Sequence, residues 1–214
     1  MIKLVYPKFW SKDHILSYLL LPFSFIYICL QIIRRIFARP IRLDAKVICV
    51  GNVTVGGAGK TQIVAWLARQ LSKKKYQVLI VTKGYGSNLK GAKLVSKSDL
   101  ATDVGDESVL LQEHAQVVAA QNIKAALPII KELKPEIIIF DDGMQNPNFI
   151  KDFNILVIDA DRGLGNGKIM PAGPMRENFD LAVNRSNTVI TVGNQGSCNV
   201  ILNDLLQDIK KPRF

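Results

Sequence analysis

The sequence predicts an α/β fold: a mostly parallel sheet with helices on both faces, preceded by a membrane-associated helix at the amino terminus. Three observations carry this. Short apolar, β-branched runs alternate along the chain with segments of helical period. A glycine-rich turn, "GNVTVGGAG", joins the first such run to a helical stretch. Near the amino terminus, "ILSYLLLPFSFIYICLQII" (Ile15 to Ile33) is a run of 19 residues without formal charge, just long enough to span a bilayer.

The 214 residues, 48% of them hydrophobic, suffice for one sizeable α/β domain plus an extra element. The expected division is an apolar and basic helical segment over 1–44, a nucleotide-binding domain over 45–200 and a polar tail over 201–214. Cys29, Cys49 and Cys198 have no metal or disulfide spacing, which points to a reducing compartment and apolar roles. Residues 1–46 carry eight basic and two acidic side chains, a net +6 of the chain's +10. Such a cluster suits nucleic acid or an anionic membrane surface. The uncharged run between the charges excludes nucleic acid as the partner and selects the membrane.

Within that run Asp13, Ser17, Ser24, Tyr27, Gln31, Arg34 and Arg35 fall on one stripe of a helix. A spanning helix needs no such stripe, whereas a helix lying in the interface does. Pro22 also interrupts a continuous span. An interfacial helix is therefore expected, with a spanning helix or one packed on the domain as alternatives. The following basic residues put the domain on the cytoplasmic side of the membrane.

Next comes "KVICV" (Lys46 to Val50), a buried-strand pattern, and after the glycine turn a helix with Ile63, Val64, Leu67 and Leu71 on one face. Strand, glycine loop, helix is the setting of a phosphate-binding loop, so the α/β domain reads as P-loop NTPase-like. The pattern G-x-x-x-x-G-K-[ST] maps onto Thr54, Val55, Gly56, Gly57, Ala58, Gly59, Lys60 and Thr61, with Thr54 in place of the first glycine. The glycines let backbone N–H groups turn toward phosphate oxygens, and the helix dipole favours the same anion. Lys60 is placed to reach the β- and γ-phosphates of ATP and the Thr61 hydroxyl to ligate Mg²⁺. A glycine turn without ligand is the plain alternative.

"EIIIFDDGMQ" supplies a second element: a central strand, Ile137 to Phe140, with Asp141 and Asp142 at its carboxyl end, the end that faces the ligand crevice of such sheets. Asp141 fits the acid that holds Mg²⁺. Further strands are expected at Gln77–Thr82, Gln116–Ala120, Asn154–Ala160 and Asn187–Val192. Helices are expected at "DESVLLQEH" and "NIKAALPIIKEL", Pro128 marking a kink.

"GNVTVGGAGKT", "TKGYGS", "VGDESVLL", "DDGMQN" and "GNGKIMPAGPMREN" occur in that order. Together they resemble the tetraacyldisaccharide 4′-kinases, over nearly everything from Ala45 to about Val192. That family's loop is similar in having threonine first. The resemblance implies transfer of the γ-phosphate of ATP to the 4′-hydroxyl of tetraacyldisaccharide 1-phosphate, an acylated glucosamine disaccharide lipid, to form lipid IVA in lipid A biosynthesis. It implies Asp106 as candidate general base, Asp141 and Asp142 as metal-site acids, and Arg176 with Glu177 as a charged pair facing the phosphates. In that pair the arginine offsets developing charge and the glutamate assists the metal. A surface ion pair is the alternative for Arg176 and Glu177. Helix capping is the alternative for Asp106 and Glu107, and both roles can hold together.

The chain departs from the family pattern in having Lys83 for an arginine and Asn146 for a histidine. Lysine keeps the charge but loses the bidentate fork. The family continues into a second lobe that carries a histidine partner for the base. The chain therefore resembles the amino-terminal lobe, and Mg-ATP binding with little transfer is expected. A membrane-associated P-loop ATPase switch and a non-catalytic nucleotide-binding remnant remain as alternatives; a guanine-reading N-K-x-D string is absent.

Overall fold

The computed structural model describes residues 6–193. The expected polar tail, 201–214, and Cys198 lie outside them. The amino-terminal helices are α1 (Ile15–Leu19) and α2 (Leu21–Ile36). They are followed by β1 (Lys46–Gly51), α3 (Lys60–Lys73), β2 (Val78–Thr82), β3 (Ala92–Leu94), α4 (Ala101–Val104) and α5 (Asp106–Leu111). Then come β4 (Gln116–Ala120), α6 (Ile123–Leu133), β5 (Ile137–Asp141), β6 (Phe153–Asp159), α7 (Phe179–Asn184) and β7 (Thr188–Val192). The chain forms two compact units. Among the described residues the first comprises 6–38, 52–59 and 155–193, and the second Arg39–Gly51 and Lys60–Asn154.

In the second unit the strands lie in the order β3-β4-β2-β5-β1. β1, β2, β4 and β5 are parallel, and β3 joins β4 antiparallel at the edge. β2 and β5 are buried along their whole length, as expected of Val/Ile runs covered on both faces. Leu79, Ile80, Ile138 and Ile139 are fully enclosed there. The register sets Val50 of β1 opposite Asp141 of β5, so the strand that feeds the glycine loop and the strand that carries the acids end at one level. β3 has only three residues, two of them exposed, and carries no apolar run to announce it. α6 runs through Pro128 without ending, although proline there has no N–H to donate within the helix.

In the first unit β6 and β7 pair in parallel. The uncharged amino-terminal run is split: α1 stops at Leu20 and α2 starts at Leu21 with Pro22 in its first turn, where proline's missing N–H has no partner to lose. Among the described residues no helix is long and apolar enough to cross a membrane. The middle of the polar stripe, from Ser17 to Gln31, faces inward. Ser17 and Ser24 are buried, whereas Phe25 is 68% exposed, Leu30 60% and Phe37 79%. Ser24 Oγ donates to the Ile169 carbonyl at 2.7 Å, and Asn166 Nδ2 donates to Ser17 Oγ at 3.1 Å. The helix is packed on its own unit, but by its polar side, so its apolar side stays in the open.

Candidate active site

The loop Asn52–Gly59 belongs to the first unit. Its opening residues are not a glycine turn. Thr54 forms an antiparallel bridge with Met175. On either side of the bridge, the Val55 N–H donates to the Pro174 carbonyl at 2.9 Å and the Arg176 N–H donates to the Val53 carbonyl at 2.6 Å. β-Branched threonine suits extended backbone, so the residue that departs from the glycine pattern is the one that pairs. Gly56 and Gly59 follow with φ of 113° and 76°. A Cβ at Gly59 would also meet Val192 Cγ1 at 2.9 Å, so both conformation and space require glycine there. Ala58 is buried between them.

The Arg162 guanidinium stands over Gly56, 3.2 Å from where a Cβ would be, and 3.6 Å from Asp159. Sequence reading missed this cation. Its signal was "IDADRGLG" at the carboxyl end of a strand, the same logic that singled out Asp141. Glu177 is almost wholly enclosed, its side chain 3% exposed. Arg35 reaches one carboxylate oxygen at 2.9 Å and Arg185 the other. The structure thus brings Glu177 to these two arginines.

The loop runs in sequence into Lys60, the first residue of α3 and of the second unit's site. Lys60 is buried, with Nζ 3.8 Å from one oxygen of Asp142 while Lys83 Nζ stands 3.5 Å from the other. Asp142 takes a left-handed φ of 59°, held by its N–H donating to the Val50 carbonyl at 2.9 Å. Its carboxylate sits between two ammonium groups, where a phosphate oxygen would also be at home. Thr61 Oγ1 donates to Asp141 Oδ2 at 3.2 Å. Asp141 is 4% exposed and its Oδ1 has no hydrogen-bond partner. Burial pushes its carboxyl up to about 7. Glu107 and Asp142 add to this, and Lys60 and the Thr61 hydroxyl oppose it.

Asp106 and Glu107 form the first turn of α5. A buried bond of 2.6 Å between Thr82 Oγ1 and Ser108 Oγ ties that turn to the end of β2. Gly105, at φ 90°, lies with its absent Cβ 2.9 Å from the Gly84 backbone, so "TKGYGS" and "VGDES" touch through two glycines. Asp106 is exposed. Glu107 is exposed as well, but local desolvation raises its carboxyl from its ordinary value, opposed by Lys60 and Lys83 and reinforced by Asp142 and Asp106. Of the two acids, Glu107 is the one whose charge acts on Asp141, a role the sequence reading did not assign. A hollow of about 40 Å³ opens beside the acids, lined among others by Thr82, Lys83, Gln121, Asn122, Asp141, Asp142 and Asn146.

Among the described residues no group of three or more His, Cys, Asp or Glu side chains forms a metal cage. Mg²⁺ in phosphoryl-transfer sites takes one or two protein ligands and completes its octahedron with phosphate oxygens and water. The Thr61 hydroxyl and the orphaned Asp141 Oδ1 fit such an ion. Within the second unit Lys60, Thr61 and Asp141 can hold a phosphate by its lysine, with a buried acid at the metal.

The comparisons agree. Residues 16–211 match the family model described as tetraacyldisaccharide-1-P 4′-kinase, LpxK. Two proteins named tetraacyldisaccharide 4′-kinase, from Rickettsia bellii and Rickettsia canadensis, are each 53% identical, over 91% and 90% of this chain and 60% and 59% of their own length. A crystal structure described as the "apo" form of LpxK from Aquifex aeolicus in complex with ATP superposes with a TM-score of 0.71 at 32% identity, covering 83% of this chain and 59% of that one. The chain thus spans about 60% of the length of the curated relatives it matches. With the loop, the acids and these matches in one order along the sequence, the chain belongs to the tetraacyldisaccharide-1-P 4′-kinase family.

Proposed function

We propose that the chain is the nucleotide-binding part of a lipid-sugar kinase that transfers the γ-phosphate of ATP to the 4′-hydroxyl of tetraacyldisaccharide 1-phosphate, forming lipid IVA. The observation that carries this is Thr61 bonded to a buried Asp141 whose second oxygen is orphaned, directly after a glycine loop. The Aquifex aeolicus relative, described as in complex with ATP, supports ATP as the donor. In the first unit the loop amides and Arg162 offer donors to phosphate oxygens, and in the second Lys60 offsets phosphate charge. Thr61 and Asp141 hold Mg²⁺, which when bound neutralises charge developing on the transferred group. Lys60, held by Asp142 at 3.8 Å, exchanges that carboxylate for a phosphate oxygen of the nucleotide. Asp106, at the edge of the site, takes the proton of the attacking hydroxyl, with Glu107 behind it. The hollow beside Asp141 and Asp142 admits the acceptor hydroxyl. Arg176 and Glu177 contribute at the cradle, where the Arg176 backbone holds Val53.

The inside-out seating of α2 supports attachment to the cytoplasmic face of the inner membrane. The helix spends its polar groups on the protein and leaves Phe23, Phe25, Ile26 and Leu30 exposed, the surface an acyl boundary covers, with basic residues around it to meet anionic headgroups. The deciding experiment is transfer of radiolabelled phosphate from ATP to tetraacyldisaccharide 1-phosphate in mixed micelles, with this chain alone and with a full-length relative. Labelled lipid from this chain supports the whole reading. Mg-ATP binding without labelled lipid restricts it to nucleotide binding, and loss of both removes it.

A further inference from the structure

The phosphate loop and the lipid-facing helix of the first unit never touch a common ligand in the scheme above, yet one strap of chain holds both. The strap is 169–177. On one side it carries the loop: the Thr54–Met175 bridge, Val55 N–H to the Pro174 carbonyl and Arg176 N–H to the Val53 carbonyl. On the other side it carries α2 at three heights. Ser24 Oγ donates to the Ile169 carbonyl at 2.7 Å and accepts from the Ala172 N–H at 3.2 Å. Gln31 Nε2 donates to the Arg176 carbonyl at 2.6 Å, and Arg35 pairs with Glu177 at 2.9 Å. Arg176 thus accepts from α2 through its carbonyl and donates to the loop through its N–H. The strap is stiff in itself, closed by Met170 N–H to the Met175 carbonyl at 2.8 Å and Met175 N–H to the Lys168 carbonyl at 3.1 Å.

From this geometry we infer that α2 is a positioning element for the phosphate cradle. Gln31 and Arg35 act through Arg176 and Glu177 on Val53–Val55, and the seating of the lipid-facing helix sets the affinity for ATP. The inference rests on the nucleotide-binding reading. Its physical basis is that hydrogen-bonded side chains and a rigid strap carry coupling between sites, and that the two contacts are made on the adjoining peptide planes that meet at Arg176. Polar groups buried at this seam are strongly held, since each would be left unsatisfied if the helix shifted. The opposite face of the same helix is apolar and exposed, so a lipid surface pressing on it acts on the cradle by this route.

The test is calorimetric titration of Mg-ATP into the full chain in detergent. The variants are Gln31→Met, Arg35→Met, the pair together, Arg35→Lys and Arg34→Met. Arg34 is the exposed, charge-matched neighbour of Arg35 on α2. The double variant is expected to bind Mg-ATP about fivefold or more weakly, the lower part of the range through which coupled sites act. Arg35→Lys is expected to recover part of the loss and Arg34→Met to bind as the native chain does. A melting curve is recorded for each. If the double variant does not fold, the single Gln31→Met, which removes one hydrogen bond and keeps the volume, decides. Folded Gln31 and Arg35 variants that melt earlier but bind Mg-ATP with native affinity have a supporting role only, and overturn the inference. So does an equal loss in Arg34→Met. Failure of the nucleotide reading looks different: the native chain would not bind Mg-ATP, or Lys60→Ala would bind it as well as native.

Discussion

Replacing Asp141 by asparagine is expected to stabilise the metal-free protein at neutral and alkaline pH while removing a ligand of Mg²⁺. The carboxyl is 4% exposed and its pKa is pushed from 3.8 to about 7, with burial the largest cause. A shift of about three units, at ~1.4 kcal/mol each, corresponds to about 4 kcal/mol between folded and unfolded states. The sign follows from the direction. The folded state holds the proton more tightly than the unfolded one, so the stability associated with this group is fully present below pH 3.8. It is lost progressively as pH rises to about 7, and above that the full cost of a buried charge remains. Asparagine keeps the shape and an acceptor for Thr61 but never ionises. The assay is urea unfolding of native and variant chains in EDTA at about pH 4, pH 6 and pH 8. The variant's advantage is expected to be small at the first and to reach up to about 4 kcal/mol at the last. Equal stabilities at all three values, or a variant that is weaker at about pH 8, would refute the reasoning, because Asp141 would then be stabilised as an anion by something other than a metal. Adding Mg-ATP is expected to reverse the order, since it stabilises the native chain by mass action.

Three further outcomes are expected. Lys60→Ala removes a charge-assisted contact worth about 1.5–3 kcal/mol and should weaken Mg-ATP binding about tenfold or more by calorimetry; equal affinities would remove the phosphate-loop assignment. Gly59→Ala forces a side chain into a φ of 76° and against Val192 at 2.9 Å, and should lower stability by about 1–3 kcal/mol in urea unfolding; an unchanged midpoint would contradict the loop's geometry. Phe25→Ser combined with Leu30→Ser removes exposed apolar surface from α2, and the protein should move from the pellet to the supernatant in vesicle sedimentation. High salt should release the native chain only in part, because apolar burial is not screened; complete release by salt alone would show that the face is not in lipid.

The sequence by itself determined the parts that are local. Short β-branched runs at 46–50, 77–82 and 137–140 read as strands covered on both faces, and a glycine loop between strand and helix needs no distant partner to be recognised. Lys60, Thr61 and Asp141 were legible for the same reason: each is tied to the end of an element that its own neighbours specify. The stripe on the amino-terminal helix was legible too, as a stripe. Which way it turned was decided by tertiary structure alone, because the partners of Ser24 and Gln31 lie 145 residues away, and a helical period has the same form whichever face the protein takes. The same holds for Thr54, whose place in the motif reads as a lost glycine until Met175 is found across from it. It holds for β3, which has no pattern of its own and exists by pairing with β4, and for Arg162, which gains meaning only by standing over Gly56. Local sequence sets the dihedrals and periods of single elements. Hydrogen bonds and ion pairs between residues far apart in the chain are set by how those elements meet, and it is these that join the helix, the strap and the cradle.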